Sequence, residues 1–163
     1  MINFRFFQGF VTSIQDFPIS VNDESEGCYK MISVEDGTGA LVNFVVSPTT
    51  YFVDQAVVSV GDRVTGYYDG DAPVPLIYPP QYAALVMVKE QPHQNVKVDF
   101  FTSQLVSRDG QLQLNLSPYT QLLLTNGQPF TTNPANRNLI VIYGPSTKSI
   151  PAQTTPYRII VWC

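Results

Sequence analysis

The chain has 163 residues, a formal net charge of -4 and only 13% charged residues, about half the ordinary share of around 25%. Its nine Lys and Arg form no cluster, which argues against a nucleic-acid partner, and no apolar run reaches the roughly 18 residues of a membrane span. A surface so poor in charge is built from Ser, Thr, Asn and Gln, as in proteins that work outside the cell or pack into assemblies.

Residues 1–7 (MINFRFF) alternate Ile2, Phe4 and Phe6 against Asn3 and Arg5, the period of a strand with one buried face. The first 18 residues lack the basic start and continuous apolar stretch of a signal peptide. Residues 8–17 continue as a strand with Phe10, Thr12 and Ile14 on one face, and Gly9 allows a bend or bulge. An acidic loop follows, carrying Asp23, Glu24 and Glu26 without the spacing of a calcium-binding EF-hand. Residues 28–35 alternate again, and Asp36-Gly37-Thr38-Gly39 is a hairpin turn into residues 40–46. Ser47-Pro48 ends that run, residues 49–53 form a strand or single turn, and Val60-Gly61-Asp62-Arg63 turns into a strand at 64–68. This order of five strands matches a small Greek-key barrel of the OB type, or an open sandwich with the same order.

The pattern then repeats. Residues 64–88 and 139–163 each hold an apolar run ending in tyrosine (Tyr67 and Tyr68, or Tyr143). In each, a proline-rich loop follows, and then Tyr82 or Tyr157 opens a second apolar run. Upstream, residues 40–53 lie over 110–123, with Ser47-Pro48 on Ser117-Pro118 and Thr50 on Thr120. The expected fold is therefore all-β: two tandem OB-like Greek-key barrel or sandwich units, residues 1–90 and 91–163, related by internal duplication and joined by the polar stretch 90–95. Counting back from the shared Ser-Pro, the second unit is one strand short, which predicts an open sheet edge. The apolar stretch holding Ile2, Phe4, Phe6 and Phe7 is the expected assembly strand, pairing with such an edge in its own chain or in a neighbour.

Chemistry is sparse. Tyr67, Tyr68, Tyr78 and Tyr82 crowd the first proline-rich loop beside Asp69 and Asp71, as ligand-facing aromatics of a glycan site or carboxylates of a cation site would. The second copy has Gly144, Ser146 and Gln153 at the equivalent places, so the plainer reading is a proline-rich turn. The single histidine, His93, sits in the joint without a neighbouring nucleophile or carboxylate, and no catalytic residue, cofactor or metal is expected. Cys28 and Cys163 fall short of the four ligands of a zinc site. They read either as a buried thiol with an incidental terminal one, or as a disulfide within or between subunits.

The segments TGYYDGDAPVPLIYPPQY (65–82) and IYGPSTKSIPAQTTPYRII (142–160), with PPQY and SIPAQTTP the most distinctive parts, resemble paired modules of poorly characterised secreted or cell-surface proteins of anaerobic, spore-forming bacteria. In some of these the modules stand beside a copper amine oxidase N-terminal-like domain, a non-catalytic attachment module. The resemblance implies a place at or beyond the cell surface and brings no catalytic residue. The expected function is that of a self-assembling structural protein, the subunit of a filament built by N-terminal strand addition. A glycan- or cell-wall-binding module is the alternative.

Overall fold

The structure is a computed structural model that describes residues 1–18 and 26–163; Asp23 and Glu24 of the expected acidic loop lie outside the described residues. The protein is all-β. Among the described residues there are thirteen strands and one 3-10 turn at Val53–Gln55, with no α-helix and hence no helix able to cross a membrane. The chain divides into two compact units, Met1–Glu90 and Gln91–Cys163.

The first unit contains β1 (Phe4–Asp16), β2 (Lys30–Glu35), β3 (Leu41–Val46), β4 (Tyr51–Phe52), β5 (Arg63–Asp69), β6 (Gln81–Ala83) and β7 (Val86–Lys89). They form one sheet in the order β4-β7-β5-β1-β2-β3-β6. The hydrogen-bonded ladder runs from β4 to β6, and those two strands are not paired with each other, so closure into a barrel does not follow from the ladder itself. β2 and β3 make the hairpin that the Asp-Gly-Thr-Gly turn predicts. Oδ1 of Asp36 accepts from the Thr38 hydroxyl, the Thr38 N–H and the Ala40 N–H, and these bonds, that hydroxyl foremost, hold its carboxyl below the usual range. The core is built from Val11, Ile32, Val34, Val42, Phe44, Val64 and Met87.

Two expectations about the N-terminus are overturned. Residues 4–10 are paired antiparallel with residues 63–69 of their own unit, so the first strand is an interior member of a sheet rather than a spare one. Its faces are also the reverse of those expected: Phe6 is 61% exposed and Phe10 52%, whereas Phe7 packs on the core and Val11 is buried in it. A register shift between Val11 and Ser13 then turns the strand over, so that Ile14 also meets the core. One extra residue exchanges the two faces of a strand, and the bulge lies beyond Gly9 rather than at it. Gly9 has a different task, since a Cβ there would stand 2.3 Å from the carbonyl oxygen of Glu35.

The second unit contains β8 (Asn95–Phe101), β9 (Leu112–Leu114), β10 (Gln121–Leu124), β11 (Arg137–Tyr143), β12 (Ala152–Thr154) and β13 (Arg158–Trp162). Four strands are ordered β10-β13-β11-β8, and β12 pairs with β9. Phe101, Leu112, Leu114, Leu139, Val141, Ile159 and Val161 form its core. No full strand stands between β8 and β9, but the expected vacancy is filled. Residues 105–108 bridge both sides, Ser107 to Phe101 and Val106 to Gln113. The Thr102 N–H donates to the Val106 carbonyl (2.9 Å) and the Arg108 N–H to that of Phe100 (2.8 Å).

Within each unit the same bonds recur. The Thr50 hydroxyl accepts from the Ser47 N–H (3.0 Å) and donates to the Ala84 carbonyl (2.8 Å); the Thr120 hydroxyl accepts from the Ser117 N–H (3.3 Å) and donates to the Pro156 carbonyl (2.8 Å). The register corrects one correspondence drawn from the sequence. Tyr82 pairs with Phe44 on β3, and in the second unit Thr154 pairs with Leu114 on β9, so Thr154 rather than Tyr157 occupies the place of Tyr82. Tyr157 stands where Leu85 does: their N–H groups donate to the carbonyls of Ile142 (2.9 Å) and Tyr67 (2.8 Å). The connection 144–151 is three residues shorter than 70–80, and this shift the matching tyrosines conceal.

Candidate functional site

The first unit carries a groove of about 420 Å³ beside the loop 70–80. Successive side chains of β5 point to opposite faces, so the adjacent tyrosines part company. Tyr67 is buried and meets Phe6 across the strands at 5.7 Å between ring centroids, whereas Tyr68 faces the groove. There Tyr68 lies parallel to Tyr82, at 3.9 Å and an interplanar angle of 5°. The Phe44 ring packs against both, at 6.2 Å and 6.5 Å. That ring needs Gly66 opposite it, where a Cβ would approach to 2.5 Å. Burial, with the Tyr82 hydroxyl beside it, raises the Tyr68 phenol above its ordinary value.

Val74, Pro73 and Pro75 form one wall of the groove, and Asp69 and Gln81 supply polar groups. Oδ1 of Asp69 accepts from the N–H groups of Asn3 (3.2 Å) and Asp71 (3.0 Å), and Oδ1 of Asp71 accepts from the Asn3 amide (3.2 Å). Of the four aromatics singled out from the sequence, the structure therefore brings Tyr68 and Tyr82 together, buries Tyr67 on the opposite face, and leaves Tyr78 77% exposed on the loop, outside the lining. Leu76 and Ile77 beside it are exposed as well.

In the second unit Tyr143 matches Tyr68 and Thr154 stands at the place of Tyr82, with its hydroxyl committed to the Pro145 carbonyl (2.7 Å). The unit's notable polar group is Asp99, buried at the position of Gly9: each pairs with the equivalent residue of the neighbouring strand, Leu139 or Val64. Oδ1 of Asp99 accepts from the Phe100 N–H (2.8 Å) and its Oδ2 from the Asp109 N–H (3.2 Å). Burial raises the Asp99 carboxyl, against the pull of those two bonds. Asp109 is held by the Lys97 ammonium, the Ser107 hydroxyl (2.6 Å) and the Gln111 N–H (3.0 Å). Burial works against its charge, but these donors outweigh it and depress its carboxyl. The signal of this cluster in the sequence is an aspartate inside the apolar run VKVDFF.

Among the described residues no group of three or more His, Cys, Asp or Glu is placed to hold a metal ion, and His93 is exposed in the joint. Cys28 and Cys163 are both exposed and are not joined to each other, so neither the buried thiol expected at Cys28 nor a bridge between the two is present. No protein-family model matches the chain, and no curated protein matches it in sequence.

Proposed function

We propose that the protein is a non-catalytic, self-associating structural component of a cell surface or extracellular assembly, built from two OB-like Greek-key units that arose by duplication. The duplication reading is supported by the matching pairings, β4–β7 and β10–β13 parallel, β5–β7 and β11–β13 antiparallel, and by the twice-made Ser-Pro-x-Thr turn. Closure of the first unit is supported by residues 81–89, whose first part bonds to β3 and whose second part bonds to β5.

The observation that carries self-association is the apolar crest on the loop 70–80. Val74, Leu76, Ile77 and Tyr78 are all exposed, in a chain whose charged share is only 13%. Contiguous exposed apolar groups on a folded unit mark contact surfaces, and scarce charge leaves little repulsion to keep copies apart. Light scattering over a concentration series tests this: growth in mass is expected, and a monomer at every concentration overturns it.

The glycan-binding reading retains one supporting observation, a groove of suitable size with Asp69 and Gln81 at hand. It is the weaker reading, because Tyr68 and Tyr82 each give one ring face to the other, and Tyr67 and Tyr78 lie elsewhere.

A further inference from the structure

Since β1 is committed to its own sheet, assembly requires a different contact, and the geometry points to one. We propose that the groove of the first unit receives the loop 145–150 of a second copy, with Ile150 entering between the Tyr68–Tyr82 pair and Val74 while Lys148 meets Asp69 and Asp71. This proposal rests on the self-association reading above and names the surfaces that would carry it.

Ile150 is 84% exposed and outside the core of its unit. It is not presented loosely. The Thr147 N–H donates to the Gln153 carbonyl (2.9 Å), the Gln153 N–H to the Thr147 hydroxyl (2.9 Å), and the Ser149 hydroxyl to the Pro151 carbonyl (2.8 Å). Thr147 and Ser149 thus hold the loop while Lys148 and Ile150, between and beyond them, are exposed. A loop fixed in this way loses little further freedom on docking.

The receiving surface is equally set. The tyrosine stack is fixed by Phe44, and the two aspartates are oriented by Asn3 through Oδ1 of each. Charge and shape are complementary: an isolated cation beside an apolar tip on one surface, two carboxylates beside an apolar groove on the other. The second unit carries the tip and the first unit carries the groove. A contact between unlike surfaces is heterologous, so it repeats from copy to copy and either closes into a ring or extends as an open filament.

Light scattering and electron microscopy of the full chain and two exposed-residue variants test this, with circular dichroism confirming that each variant folds. Ile150→Glu disables the tip, and Asp71→Lys repels Lys148. Each alone is expected to be monomeric, with association weakened about ten-fold or more. Mixed, they are expected to form a heterodimer and nothing larger, since one intact tip meets one intact groove. If wild type associates and both variants associate as well as it does, this contact is overturned while self-association stands. A wild type that stays monomeric at every concentration, or that is monomeric and binds a soluble polysaccharide instead, overturns both.

Discussion

Where the first unit lays a six-residue strand, β2, against the end of β1, the second unit has residues 105–108 and a single carboxylate. The two solutions exclude one another atom by atom. Gly9 is bare because the Glu35 carbonyl of β2 lies against it; Asp99, at the matching register position, carries a side chain that accepts from the Phe100 and Asp109 N–H groups. Backbone donors that would go unpaired at a shortened edge are satisfied by that side chain instead. The cores differ in the same compensating way. Phe44 packs over Gly66 in the first unit, whereas Leu114 and Val141 share that place in the second. In each unit, the room that one residue leaves is taken by a neighbour, and the hydrogen bonds are supplied from there.

Importing one unit's solution into the other is the most severe test. Gly9→Asp drives a Cβ into the backbone of Glu35, and we expect the first unit to lose about 3 kcal/mol or more in urea unfolding. An unchanged midpoint would show that the two positions are not equivalent. Gly66→Val should destabilise the same unit by about 1–3 kcal/mol through its clash with the Phe44 ring. Adding Phe44→Leu, which reproduces the pairing of the second core, should recover part of that loss, and a double-mutant cycle without coupling would contradict the volume argument. Thr50→Val and Thr120→Val each remove the hydroxyl that closes the Ser-Pro-x-Thr turn, at about 1 kcal/mol apiece. Similar losses in both units, followed by hydrogen exchange of their core amides, are the expected result; a large loss in one alone would break the parallel.

The smallest effect separates the units by pH. Asp109 is depressed, so its contribution to stability is present above its unfolded value near 3.9 and is lost as pH falls through its folded value. Asp99 is raised by burial and acts in the opposite sense: its contribution is full below about 3.9 and is lost as pH rises through its folded value. Asp109→Asn should therefore flatten the acid limb of the second unit's stability profile, and Asp99→Asn the limb above it. Both changes are expected to be modest, since the Asp109 side chain is 44% exposed and well screened. Thermal melts across the carboxylate range, with the first unit's amides as internal control, read the two limbs separately.

Much of this molecule was visible in its residues. Two-residue alternation marked the strands, Asp36-Gly37 and Gly61-Asp62 marked turns, and the recurrent Ser-Pro-x-Thr marked a local structure whose bonds lie mostly within four residues. Such features are set by neighbours along the chain, so the sequence by itself determined the all-β class, the hairpin and the repeated turn. Tertiary structure alone decided which strand β1 joins, which face of it is buried, what fills the gap beside β8, and that Tyr82 answers to Thr154. Alternation announces a strand without naming its partner, and a single bulge or a loop shortened by three residues exchanges every assignment downstream. Those choices are made by contacts between residues distant in sequence, where the space left by one side chain is taken by another.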